Sequence, residues 1–445
     1  MTVAERIAAL LDRLGLDRVF IATQMPGDIA DFCLAQPHRV GGLALVVASR
    51  IEPDAFVALA DRLIVITGDS GVPAEAAART AAALAECRQH RMKDYATTAW
   101  TDVAADRPDD LCAGMQAFFA RLASPACPPL PASGTTAGLE WRSSGNGPAL
   151  LLFPFFLAAS QWDPVIDRLS RHFTVISIGG PHIGGAAMLE DRAGLAGYQD
   201  MFSVLLRRME IPPGARVLEV GCGTAALGRS LLHTRPDLEV TGVDLNGYLL
   251  REAAAIARSE QVRIGNAGPG SLSLASGDAT DLPLPDAAFD AVYSVTVLEE
   301  CDGDAALAEM VRVARPGGPV GVAVRAIDMV QWWNLDLPDH IAAVASTQPQ
   351  SRSPGSIADR SLYRRMAAAG LERVRGFPYL LGFDRPDGPM WKYREAHVRS
   401  ALDRADRETW DHACREAWQA GLLFQANPLH CAVGWRPTGA TGSPL

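Results

Sequence analysis

At 445 residues the chain exceeds one ordinary hydrophobic core and suggests two or three domains. Apolar residues make up 48% and charged residues 21%, and the formal net charge is -10 with acids and bases mixed throughout. That balance excludes a largely disordered chain and argues against a general binder of nucleic-acid phosphates, because no basic stripe is present to displace counterions.

The opening stretch from Met1 to Leu16 reads as an amphipathic helix over Ala4–Leu14 with acids inside it, so no signal peptide is expected there. Strands follow at Arg18–Ala22, Leu43–Ala48 and Leu63–Thr67, then helices over Ala74–Cys87 and Leu111–Leu122. The segment Ser124–Gly138 is rich in Pro, Ser and Gly and reads as a linker. Two buried-looking strands, Leu150–Phe153 and Thr174–Ile178, flank a helix at Pro164–Arg171. Beyond Ala193 a helix runs to Met209, then a strand-turn-helix spans Arg216–Leu232. Further strands are expected at Glu239–Val243, Leu272–Ala275, Ala291–Val295, Val320–Val324 and Cys431–Trp435. Strands separated by helices predict an α/β chain with mostly parallel sheets covered on both faces. The domain limits expected from this pattern are 1–123, a linker at 124–138, then 139–192 and 193–445.

The eight cysteines, from Cys33 to Cys431, form no CxxC pair and no Cys/His cluster. Neither a disulfide framework nor a metal site is expected, and free thiols suit a cytoplasmic setting. The longest apolar stretch, Ala149–Ala159, contains a proline and is about half the ~20 residues of a membrane span, so no membrane association is expected.

The chemically informative segment is VLEVGCGTAALG, Val217–Gly228. An apolar strand enters a glycine-rich turn, and an apolar-spaced helix follows. Gly221 and Gly223 let the backbone turn sharply and approach a ligand, and the helix amino terminus offers N–H donors. Alone this signal is weak, because GCGTAA also satisfies the dinucleotide fingerprint with Ala226 in the last place. The next strand ends in Asp244 about 20 residues on, where an acid bonds ribose hydroxyls in NAD enzymes too. GDATDLPLPDAAFDAVYSV, Gly277–Val295, then sets Asp278 and Ala279 after a strand, and RPGGPVGV, Arg315–Val322, ends a helix before another strand.

In this order the segments from Tyr198 to Arg436 resemble class I methyltransferases that modify small molecules, with a Rossmann-like sheet. The resemblance implies S-adenosyl-L-methionine as cofactor and S-adenosyl-L-homocysteine as product. By it, Glu219 would meet the methionine amino group near the loop of Gly221, Cys222 and Gly223, and Asp244, followed by Leu245, would hold the ribose. Asp278 would accept from the adenine amino group, the Ala279 N–H would meet the ring, and Ser294 and Val295 would line the cofactor and face the acceptor. The chain departs from the family at Ala225, where a third glycine is usual; alanine disfavours positive φ.

Methyl transfer from a sulfonium needs alignment and desolvation more than side-chain chemistry, so catalytic residues are hard to read from sequence. Glu299, Glu300 and His340 are candidate bases, weighed against solvated helix starts. Trp332 and Trp333 could wall a substrate pocket with Asn334, or be plain packing.

The segment Ile7–Val46 resembles the middle of α/β-hydrolases, where a strand leads into the nucleophile elbow G-x-S-x-G. Those five places hold Ala22, Thr23, Gln24, Met25 and Pro26, so glutamine stands for the nucleophile. The strand Leu63–Pro73 resembles the one before the triad acid, with Gly71 near that place and Asp69 close by. Tyr95–Leu111, resembling the segment of the triad histidine, contains none. Leu139–Gly185 resembles the opening strands of the same hydrolases, with Pro154-Phe155 for the usual His-Gly. These strands follow the elbow here, as in a separate, circularly permuted and catalytically dead hydrolase-like domain. Two fragments completing one another between subunits would give the same sequence pattern.

The expected function is methylation of a small-molecule acceptor in a homo-oligomer, the hydrolase-like part serving dimerisation or substrate access. A hydrolase with a regulatory cofactor domain, and a scaffold that binds cofactor without transfer, are the competing readings.

Overall fold

The computed structural model describes residues 1–97, 101–265, 268–348, 355–384, 386 and 388–438. It divides into two compact units, Met1–Met188 and Leu189–Leu445. Residues 98–100, inside the stretch matched to the histidine segment, and residues 439–445, at the end of the expected last domain, lie outside the described set.

The first unit holds strands β1 (Val19–Thr23), β2 (Val40–Val46), β3 (Leu63–Ser70), β4 (Arg88–Ala96), β5 (Ser133–Thr136), β6 (Leu139–Ser144), β7 (Ala149–Leu152) and β8 (Thr174–Gly179). They form one sheet in the order β4-β3-β2-β1-β7-β8-β6-β5. Neighbours run parallel except where β6 meets β8 and β5. Strands from both sides of the Pro-rich segment therefore share one ladder, Phe20 opposite Leu150 and Ala22 opposite Leu152.

Because successive side chains of a strand point to opposite faces, β1 serves two cores. Val19 and Ile21 pack with Ile7, Leu10, Ile29 and Phe32 from the helices Val3–Leu14 and Pro26–Ala35. Phe20 and Ala22 pack on the other face with Met115 and Phe119 of the helix Pro108–Phe119 and with Val165. Helix Val3–Leu14 starts with a capping box between Thr2 and Glu5 and stops at Gly15, whose φ is 66°.

The segment expected as linker, 124–138, is corrected in its last third. Ser133–Thr136 is β5, joined to β6 by Ala137 and Gly138 at φ 51° and 78°. A two-residue loop with both φ positive has the twist of a tight hairpin. The Pro-rich half of the segment masked that turn.

The second unit holds β9 (Arg216–Val220), β10 (Glu239–Asp244), β11 (Arg263–Ile264), β12 (Ser271–Ser276), β13 (Ala291–Val295), β14 (Pro319–Arg325), β15 (Trp332–Trp333), β16 (Glu372–Phe383) and β17 (Gln425–Trp435). Their order is β11-β12-β10-β9-β13-β14-β17-β15, with β16 also on β17. From β11 to β14 the ladder is parallel, and β17 runs antiparallel to β14 and β16. Among the described residues no helix is long and apolar enough to cross a membrane.

Candidate functional site

Strand β9 is central, with β10 on one side and β13 on the other. The chain builds outward through β10 and β12, then returns to build through β13 and β14. Such a reversal opens a crevice beyond the carboxyl ends of the strands. The glycine loop lies at the end of β9, in that crevice.

Gly221 and Gly223 adopt φ of 71° and 55°. A Cβ on Gly221 would fall 2.2 Å from Val297 Cγ2, so packing as well as conformation demands glycine there. The N–H groups of Gly221 and Cys222 both donate to Val243 O, at 2.7 and 3.0 Å. Ala225, in the place of the family's third glycine, takes the left-handed conformation with φ 54° and is fully buried. The loop thus keeps its shape, and alanine bears the strain that glycine avoids. The Cys222 thiol is buried beside it.

Asp244 ends β10 and fastens this loop. Its Oδ2 accepts the Gly223 N–H at 2.7 Å and its Oδ1 the Asn246 N–H at 2.8 Å. Burial raises its carboxyl above the ordinary value, and those two N–H groups pull it back down. Leu245, next in chain, is 72% exposed, an apolar side chain at a strand tip.

Glu219 lies on β9 and is buried. Burial pushes its carboxyl up to about 8, against the opposing pull of the Tyr293 hydroxyl and the Gly228 N–H. Its Oε2 has no well-aligned hydrogen-bond partner among the described residues. An under-bonded buried carboxyl beside a glycine loop suits an incoming cationic group. Together with the loop and Asp244, it makes these residues fit an amino-acid nucleoside.

The other expected cofactor residues are placed less directly. Asp278 is exposed, and its Oδ1 accepts from the N–H and hydroxyl of Thr280, both at 2.8 Å. Ala279 follows at intermediate burial. Ser294 is wholly buried and donates to Val220 O at 3.0 Å, so its hydroxyl joins β13 to β9. Val295 is buried at the end of β13.

Beyond β13 and β14 lies a small pocket of about 30 Å³ that opens to solvent. Arg192, Tyr198, Thr296, Arg325, Arg394 and Asn427 are among its lining residues. Sequence reasoning missed them, since they come from five separate segments. Only Thr296, directly after the expected strand, and Arg325, directly after another, carried a positional signal.

The acceptor-pocket candidates named from sequence do not line this cavity. His340 is exposed and pairs through Nε2 with Asp406 at 3.0 Å. Trp333 packs edge-on against Trp391 and Trp410, and its Nε1 donates to Ala345 O at 3.1 Å. Trp332 is 51% exposed against Phe424, and Asn334 donates to Leu422 O at 2.6 Å. Trp333 is therefore packing, as an amphipathic body with a bonded N–H usually is. Glu299 is fully buried and accepts from the Arg325 backbone at 3.3 Å and Nε at 3.2 Å, while exposed Glu300 pairs with Arg325 Nη2 at 2.5 Å. Both glutamates thus position Arg325 from behind.

Residues 218–322 match the family model described as a methyltransferase domain. The chain is 25% identical over 275 residues to the malonyl-acyl-carrier-protein O-methyltransferase of Alcanivorax borkumensis, covering 56% of this chain and 89% of that protein. It is 31% identical to the sterol 24-C-methyltransferase of Aspergillus fumigatus, over 53% of this chain and 59% of that one. An O-methyltransferase of Pyrenophora dematioidea is 31% identical over 28% of this chain and 44% of its own length. Among solved structures, geranyl diphosphate methyltransferase is 18% identical, covering 54% of this chain and 78% of its own, with a TM-score of 0.32.

Proposed function

The carboxyl-terminal half belongs to the class I S-adenosylmethionine-dependent methyltransferases, and from that premise we propose that the chain methylates a small-molecule acceptor held beyond β13 and β14. S-adenosylmethionine is the donor and S-adenosylhomocysteine the product. When bound, the donor supplies a methyl group on a sulfonium, already activated for displacement. The residues of this chain then have to bind, orient and exclude water.

The observation that carries this reading is the joint geometry of the loop, Asp244 and the buried Glu219 carboxyl. Glu219 would receive the methionine ammonium, and Asp244, already holding the loop through Gly223, would turn toward ribose hydroxyls. Leu245, Asp278 and Ala279 would meet the adenine. Names among the relatives include both O- and C-methyltransferases, so the fold sets the donor and the cavity sets the acceptor. Calorimetry of the full chain with S-adenosylhomocysteine, followed by labelled methyl transfer, tests the proposal. Absence of binding at millimolar ligand would sink it.

The first unit we read as a circularly permuted, catalytically dead α/β-hydrolase core appended for self-association or substrate access. Pairing of β1 with β7 supports a single domain closed within one chain over fragments exchanged between subunits. In hydrolases the elbow strains the nucleophile, and an N–H from the loop after an earlier strand helps form the oxyanion hole. Gln24, at the elbow position, has no positive φ, and its Oε1 accepts the N–H of Phe156 at 2.8 Å. The Phe156 N–H comes from the loop after β7. In this reading glutamine fills its own oxyanion hole and relaxes the elbow. Ester hydrolysis above the buffer rate by the full chain would refute the reading.

A further inference from the structure

We propose that the cavity beyond β13 and β14 holds a carboxylate of the methyl acceptor, gripped by Arg192 with Asn427, Tyr198 and Thr296 as further donors. The assignment rests on the methyltransferase reading of the neighbouring loop. Arg192 Nε is buried and has no hydrogen-bond partner, and the guanidinium lies 5.3 Å from the ring centroid of Tyr198. Among the described residues no carboxylate pairs with it. Asn427 is 2% exposed, yet neither Nδ2 nor Oδ1 has a partner, and the buried Tyr198 and Thr296 hydroxyls have only a poorly aligned contact with one another.

Each unmet buried donor costs about 1–3 kcal/mol, so several converging on one cavity point to a ligand that accepts hydrogen bonds. A carboxylate is an acceptor-only group and matches the Nε edge of a guanidinium in a bidentate pair. Burial raises the Tyr198 phenol, which keeps its proton as a donor. Charge agrees. Among the described lining residues there is no aspartate or glutamate, and the charge of Arg325 is offset by Glu299 and Glu300. Asn427 Oδ1 leaves one acceptor for a hydroxyl or amine of the same molecule. Thr296, a β-branched residue at φ 57°, is held in a conformation that costs energy, as residues at binding sites often are.

The test is calorimetry on the full chain loaded with S-adenosylhomocysteine. Benzoate is titrated against benzamide and glutarate against glutaramide. At least one carboxylate should bind tenfold or more tightly than its amide. Arg192→Gln should abolish that preference while S-adenosylhomocysteine affinity stays within threefold, and Asn427→Leu should reduce it. Equal binding of acids and amides, or none, overturns the proposal. So does an Arg192→Gln defect that weakens S-adenosylhomocysteine but not 5′-methylthioadenosine, since the anion would then be the cofactor's own. Phosphate binding more tightly than either acid overturns it as well. Repeating the titrations without S-adenosylhomocysteine separates the two readings, because a chain that ignores the nucleoside but keeps the acid preference fails only the cofactor assignment.

Discussion

Asp244 holds the loop in place through Gly223 before any ligand arrives, so its removal is felt both in the free chain and in the complex. Asp244→Ala should weaken S-adenosylhomocysteine binding by about 1–3 kcal/mol, the usual cost of deleting a partner at a buried polar site. Calorimetry showing unchanged affinity would count against the assignment. Glu219 offers a second reading of the same site through pH. Its carboxyl sits at about 8 against an ordinary 4.5, so between those values the folded chain keeps a proton that the unfolded chain releases. That contribution to stability is complete below about pH 4.5 and fades as pH rises through about 8. An ammonium placed beside the carboxyl favours the ionised form. Binding of S-adenosylhomocysteine at pH 7 should therefore release a fraction of a proton. Calorimetry in buffers of different ionisation enthalpy would show it, and Glu219→Gln should remove the buffer dependence.

At the scale of elements, the short hairpin between β5 and β6 depends on Gly138, at φ 78°, where a Cβ would fall 2.6 Å from Arg6 Nη1. Gly138→Ala should destabilise the first unit by about 1–2 kcal/mol, measured by denaturant midpoint at constant slope. In the second unit, Arg229 joins Glu190, in the helix Gly184–Gly194, to Glu260, with its side chain 3% exposed. Arg229→Met leaves carboxylates without their cation and should cost about 3–5 kcal/mol by the same assay. The sequence foretold most of the apolar strands that carry the site. It announced β9, β10 and β13 as runs flanked by glycines or acids; β9 and β13 are buried almost throughout, and β10 is buried at half of its positions. β4 and β16 went unseen for the opposite reason. RQHRMKDYA and ERVRGFPYLLGF are largely exposed, so their side chains report solvent and not the ladder. β17 was foreseen only from Cys431, since Asn427, Pro428 and His430 in its first half hide an entirely buried strand. The cavity was illegible because Arg192, Thr296, Arg394 and Asn427 are brought together by tertiary folding alone.

For the whole molecule, mass action gives a simple measure. Ligand at a hundred times its Kd should raise the stability of the fold that binds it by about 2.7 kcal/mol. In hydrogen exchange with S-adenosylhomocysteine, added protection should centre on residues 216–246 and 277–298. Protection confined to the first 188 residues would contradict the site. One consequence of the sheet order concerns synthesis. Strands β1–β4 leave the ribosome well before β7, which is the partner of β1 on its other side. All five residues of β1 are buried in the finished protein. The nascent half-sheet must therefore carry this largely apolar strand as an open border, with bare peptide groups, until some 130 residues later in the chain a partner is translated. During that interval the chain is a natural client for a holding chaperone, and its yield should depend on one.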